Sequence, residues 1–312
     1  MELRQLRYLI GVCEAGGVLA ASRMLHIAQP ALSQSIAALE DELGVQLFVR
    51  TNRGMKLTSE GQTFVDHAHV VLADVERARS SVRPVEANLE GEVVLGLPTT
   101  VALVATLPIL KATRARFGKL KVKIIESHSG FLGEWLHAGR LDLSVLFVSG
   151  NELAFECRPL LSEKLGLVTI PQNCPSNSET SLRSIADMPL LLPSKEHGLR
   201  RIIDNVCAEH GVQLNVIAEI DSLPNIKKAV RAGMGSTILS PGALSDEVSE
   251  GVLAMTTICT PHIERQVACA TSITRPITPA TAAMISIVTE QIEMLVNSGA
   301  WPAHWIAPAS KY

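Results

Sequence analysis

Gln29, Ser33 and Gln34 stand together on a stretch of helical periodicity, with Pro30 and Ala31 between them. Such side chains read base edges in a DNA major groove. An amide can bond adenine through two hydrogen bonds, a hydroxyl bonds most bases, and an alanine methyl meets the methyl of thymine. A second group lies further along the chain. Thr99 and Thr100, His128 and Ser129, Phe147, Ser194 and Ser222 all fall at the ends of apolar stretches that read as strands. In open α/β sheets, ligands bind beyond the carboxyl ends of strands. Free N–H groups at a helix start, with hydroxyls beside them, suit an anion. Serine and threonine also cap helices, so each of these residues taken singly has a simpler explanation.

Other chemistry is poorly served. The six cysteines sit at 13, 157, 174, 207, 259 and 269, with no CxxC among them, so neither a zinc site nor a redox pair is indicated. His67 and His69 are two residues apart on a helix and face different ways. There is no HExxH or GxSxG, and Gly233-Met234-Gly235 lacks the third glycine of a dinucleotide fingerprint. His128 beside Ser129 has no third partner for a nucleophilic triad. The reading is of a non-enzyme with no cofactor and no metal.

The elements that must position these residues follow from periodicity. With 312 residues, two or three domains are expected. A hydrophobic fraction of 47% and a mean hydropathy of +0.24 supply real cores and exclude a disordered chain. The net charge of −3 argues against a coat for nucleic acid, though not against a small DNA-reading domain joined to a neutral one. Sparse cysteines point to the reducing cytoplasm. MELRQLRYLI is no signal peptide. Val93–Leu110 is uncharged over about a membrane span, but Gly96, Pro98 and Pro108 favour a strand, a turn and a buried helix.

Leu6, Leu9, Ile10 and Cys13 share a helical face; Leu19–Leu25 is a second helix, and Leu32, Ile36, Leu39 and Leu43 mark a third that Gly44 stops. Gln46–Val49 and Met55–Thr58 flank a hairpin turn. The second and third helices read as a helix–turn–helix, with His26-Ile27-Ala28 as the turn and Pro30 in the first turn of the second of the pair. Many three-helix cores share that pattern. Phe64, Ala68, Val71, Val75, Ala78 and Val82 then form a heptad seam on a helix of about 25 residues, roughly 37 Å long. A partner helix is the simplest cover for it; an ordinary amphipathic surface helix is the alternative. From Gly91, strands and helices alternate, which argues for α/β with largely parallel sheets.

Ala20-Ala21, then Leu25-His26-Ile27-Ala28-Gln29-Pro30-Ala31-Leu32-Ser33, then Leu39–Arg50 and Leu57-Thr58-Ser59-Glu60-Gly61 strongly resemble LysR-type transcriptional regulators in order and spacing. The resemblance covers the whole chain. It implies a winged helix–turn–helix over 1–58, a dimerising linker helix over 59–90 and a two-lobed, periplasmic-binding-protein-like effector domain over 91–312. Lobe I would take about 91–160 and 267–300, and lobe II about 161–266. Gly96-Leu97-Pro98-Thr99-Thr100, Gly139-Arg140-Leu141-Asp142-Leu143, Glu196-His197-Gly198-Leu199-Arg200 and Glu219-Ile220-Asp221-Ser222-Leu223 are similar to the branch containing the nitrogen assimilation control regulators.

The implied partners are double-stranded DNA, a small anion or polar metabolite between the lobes, further copies of the chain as homodimer or homotetramer, and RNA polymerase. A solute-binding protein, which the α/β part alone would suggest, does not account for the N-terminal helices. Three positions depart from the family pattern. Ala28 replaces the usual capping Ser, at a cost of roughly 1 kcal/mol. Gly17 stands where Ser is usual, and Gln34 where a basic residue is frequent. Residues 1–58 hold six Lys/Arg against five acids, so phosphate attraction must come from placement: Arg23 near the turn, and Arg50, Arg53 and Lys56 at the wing. Gly299–Tyr312, with Trp301 and Trp305 among prolines, receives no role from sequence.

Overall fold

The structure, a computed structural model, describes residues 1–51, 54–81, 89–148, 154–175 and 178–307. The chain divides into two compact units, Met1–Pro84 and Val85–Tyr312.

In the first unit, α1 (Leu3–Ala15), α2 (Val18–Met24) and α3 (Gln29–Leu43) precede the hairpin β1 (Phe48–Thr51) and β2 (Gly54–Leu57), then α4 (Ser59–Ser81). The apolar stripes meet as their spacing requires: Leu6, Leu9, Leu32, Ile36 and Leu39 share one core with Leu47 and Phe48. Thr58 joins wing to helix. Its hydroxyl donates to the Gln46 carbonyl and accepts the Gly61 N–H, both at 2.8 Å. Gly61 is required there, because a Cβ would lie 2.0 Å from the Leu47 carbonyl oxygen.

The heptad seam needs correction. Ala68 is 2% exposed and lies with Val65 in the unit's own core, where Phe64 and Leu72 also pack. Val71 is 39% exposed and Ala78 is exposed. The first half of the stripe is therefore used within the chain, because α4 leaves the wing directly across α1. Val82 lies outside the described residues.

The second unit begins with β3 (Gly91–Pro98), α5 (Thr99–Arg116), β4 (Leu120–Ser127), α6 (Ser129–His137), β5 (Leu143–Val148) and β6 (Phe155–Lys164). The chain then builds another body: β7 (Gly166–Thr169), β8 (Glu179–Ser181), β9 (Leu190–Leu192), α7 (Gly198–Glu209), β10 (Val216–Glu219), α8 (Leu223–Arg231), β11 (Thr237–Leu239), α9 (Ser245–Ser249) and β12 (Ala254–Thr260). It returns through β13 (Glu264–Ser272), α10 (Pro279–Asn297) and β14 (His304–Trp305). The first body, lobe I, is a six-stranded sheet in the order β14-β6-β13-β5-β3-β4. Leu95, Leu97, Ile109, Met284 and Ile287 form its main core with α5 and α10, and Leu132, Leu136 and Leu146 a smaller one with α6. Lobe II has the sheets β11-β7-β12-β8 and β10-β9 around a separate core.

The expectation of largely parallel sheets is only half met. β3 pairs parallel with β4 and β5, but β13 pairs antiparallel with β5 and β6. The returning strand enters from lobe II, so it runs against its neighbours. No turn separates β3 from α5: Pro98 leads straight into the helix. β12 and β14 were not legible as strands, one being threonine-rich and the other two residues long.

Candidate functional site

The DNA-reading candidate is the start of α3. Leu32, Ile36 and Leu39 turn into the core, which leaves Gln29, Pro30, Ala31, Ser33 and Gln34 exposed on the other side. His26, at φ +54°, reverses the chain between α2 and α3, and Ile27 N–H donates to the Ser22 carbonyl at 2.9 Å. Ala28 occupies the N-cap in extended conformation without a side-chain cap, so the first-turn N–H groups keep their donor capacity. Glu40 has a local task that a count of charges hides. One carboxylate oxygen accepts Leu47 N–H at 2.7 Å and Phe48 N–H at 3.1 Å, fixing the wing to α3. Arg50 lies on β1 opposite Met55, Lys56 is exposed on β2 and Arg23 on α2. Arg53 lies outside the described residues.

In the second unit, four helix starts converge between the lobes. Thr99 and Thr100 open α5, His128 and Ser129 open α6, His197 opens α7, and Leu223 opens α8; all six line one cavity. The N-caps of α5, α6 and α8 make no side-chain cap bond. At α7 the cap is His197 itself, whose Nδ1 accepts Leu199 N–H at 3.1 Å. Ser129 Oγ is buried and has no hydrogen-bond partner among the described residues. Partial positive charge from helix ends and an orphaned hydroxyl together suit an anionic or polar guest.

Arg265, on β13, completes the cavity. It is 4% exposed, and its Nε donates to Glu163 Oε1 at 2.6 Å. Its Nη2 donates to Thr100 Oγ1 at 3.0 Å, and the guanidinium lies 3.8 Å from the Phe147 ring centroid. A buried ion pair survives only when its remaining polar atoms are also bonded. His197 is held neutral: burial first, then nearby His128, lowers it to about 4, with Asp221 opposing. Asp221 is held below the usual carboxylate range chiefly by the Ser194 backbone N–H, at 2.9 Å. The cavity holds only about 50 Å³. A larger one of about 980 Å³ adjoins it, sharing Ser129, Phe147, Gly198 and Arg265.

Residues 3–62 match the bacterial regulatory helix-turn-helix model of the lysR family, and residues 86–293 match the LysR substrate binding domain. The chain belongs to the LysR family of transcriptional regulators. The LysR chain is 36% identical over 244 residues to the nitrogen assimilation regulatory protein nac of Klebsiella aerogenes, covering 78% of this chain and 79% of that protein. In fold it is similar to a full-length OxyR variant from Pseudomonas aeruginosa, with a TM-score of 0.72, 24% identity and coverage of 94% and 95%. It is also similar to full-length CbnR complexed with its target DNA, with a TM-score of 0.70, 21% identity and coverage of 93% and 100%.

Of the effector candidates in this LysR chain, Thr99, Thr100, His128, Ser129 and Phe147 line the inter-lobe cavity, and Ser194 and Ser222 do not. Ser194 instead supplies its N–H to Asp221, and Ser222 is the exposed N-cap of α8. Strand ends point their last side chains alternately, so position alone does not settle direction. His197, Asp221, Arg265 and Glu163 were missed. The last two carried a signal. Ile263, Arg265, Val267 and Cys269 share the buried face of one strand, and Leu161, Glu163 and Leu165 alternate likewise. A charge in an apolar row is a buried charge that needs a partner.

Proposed function

We propose that this LysR regulator reads an operator through the first turn of α3 and is controlled by a small anionic metabolite held between the lobes. The observation that carries the reading is the convergence of four helix starts and Arg265 on one cavity. Thr99, Thr100, Ser129 and Phe147 are its contacts, with His197 and Arg265 added. At about 50 Å³ the cavity takes only a few waters, so a metabolite enters this part of the cleft, beyond the larger adjoining cavity, only if the lobes part. A ligand then acts by its difference in affinity for the open and closed lobes.

In this reading the chain catalyses nothing. It works in the cytoplasm as a homodimer or homotetramer that recruits or blocks RNA polymerase. No described helix is long and apolar enough to cross a membrane. The weak net charge of one head is offset by several heads binding together. The test is operator footprinting over a panel of mono- and dicarboxylates with wild type and Thr100→Val. Thr100→Val keeps the side-chain shape and removes the hydroxyl. The variant is expected to bind operator normally and to lose the response. Equal response by both proteins, or response to no carboxylate, overturns the cleft assignment.

A further inference from the structure

Residues 298–307, after α10, fold back onto lobe I. β14 pairs antiparallel with β6, placing His304 opposite Ser162 and Trp305 opposite Leu161. Trp301 is 1% exposed and belongs to the lobe I core. Its indole N–H donates to Glu163 Oε2 at 2.8 Å, while Oε1 of the same carboxylate takes Arg265 Nε at 2.6 Å. Arg265 Nη2 continues the chain to Thr100 Oγ1 at 3.0 Å. A run of bonds thus leads from the tail to the cleft.

The ring also touches lobe II. A Cβ placed on Gly242 would lie 3.0 Å from Trp301 Nε1 and 3.1 Å from its Cδ1. The crossovers between lobes pass beside Glu163 and Arg265, where Leu165 N–H donates to the Ile263 carbonyl at 2.8 Å. Trp301 therefore sits beside the crossovers that join the two lobes.

We propose that Trp301 is a positioning residue of the inter-lobe cleft: by occupying one oxygen of Glu163, it leaves Arg265 Nη2 for Thr100 and for an anion. This rests on the cleft reading above. Nε and Nη2 lie on one edge of the guanidinium, and a carboxylate with both oxygens free grips that edge with both. Without the indole N–H, buried Oε2 loses its partner. The nearest relief is the two-bond fork with Arg265: it takes the Nη2 N–H on the Nε side, and the in-plane turn of the guanidinium that aligns the fork moves Nη2 off Thr100.

The test uses the full chain with inorganic sulfate as the probe, titrated calorimetrically. Trp301→Phe removes the donor and keeps an aromatic ring in the core, with some loss of volume. Sulfate affinity is expected to fall about tenfold, the worth of one hydrogen bond to a charged group. Ile292→Val thins the same core without touching Glu163, so it should lower Tm and leave sulfate affinity alone. Wild-type affinity in Trp301→Phe overturns the proposal, as does an equal loss in both variants. A crystal structure of Trp301→Phe needs no ligand: Arg265 forked on Glu163 and released from Thr100 is expected, and an unmoved Arg265 overturns the relay. Sulfate that fails to bind wild type, or binds Thr100→Val equally, counts against the cleft reading, and that crystal structure still decides the relay.

Discussion

The rings of His128 and His197 meet edge to face across the cleft, with centroids 4.5 Å apart. Each is the N-cap of a helix, α6 in lobe I and α7 in lobe II. This one contact therefore holds two helix starts together and narrows the cavity between them. A guest larger than a few waters can fill that small cavity only by separating the two rings.

The contact should weaken in acid. Burial, and after it the nearby His128, lowers His197 from its ordinary 6.5 to about 4; Asp221 favours its charged form, and Arg265 and Arg201 disfavour it. A base whose folded value is depressed keeps its full stability above its unfolded value and loses it as pH falls toward the folded one. The loss here runs from about pH 6.5 down to about 4. Protonation at Nδ1 would also remove the cap on Leu199 N–H. Thermal melts from pH 8 to 4 should show Tm falling in that window. His197→Asn still caps α7 but does not titrate, so it should flatten this part of the profile.

Operator specificity should reside in Gln29. Its exposed amide opens α3. Gln29→Ala is expected to lose about 1–3 kcal/mol of discrimination at one base position. Competition binding of operator against random DNA measures this. Discrimination equal to that of wild type would remove Gln29 from the groove.

Ala28→Ser should stabilise the head. The N-cap of α3 has φ −60° and ψ 129° and lacks a side-chain acceptor, so a serine hydroxyl can accept a first-turn N–H without rearranging the backbone. About 1 kcal/mol of added stability is expected. Chemical denaturation of the two proteins side by side provides the comparison, and a lower midpoint for the serine variant would contradict it.

The two halves of α4 should respond differently to charge. Ala68 is buried in the head and Val71 is exposed. Ala68→Asp buries a charge within the chain and should unfold the head. Val71→Asp should leave the head folded but disrupt dimerisation, because its cover would come from a partner helix. Sedimentation velocity and circular dichroism separate these outcomes. A dimeric Val71→Asp protein would place the dimer contact elsewhere.

Local pattern carried most of the head. Leu32, Ile36 and Leu39 at helical spacing dictate which side of α3 is buried, and so leave Gln29, Ser33 and Gln34 outside. The same logic found Thr99, Thr100 and Ser129, since a strand followed by a helix exposes its junction in any α/β sheet. Periodicity failed where one stripe served two purposes. Ala68 and Val71 look equivalent in the heptad, yet α1 covers only the first of them.

Pairings between distant residues belonged to the tertiary structure. The types of Glu163, Arg265 and Trp301, and the apolar rows around the first two, were there to be read along the chain. Their meeting was not. Glu163 and Arg265 are 102 residues apart and become neighbours only because β6 and β13 pair antiparallel. Trp301 reaches them because the tail adds β14 to the edge of β6. Hydrophobic period and helix capping act within a few residues, so a single chain displays them. Strand register and lobe packing depend on burial summed over the whole domain, and only the folded molecule sets them.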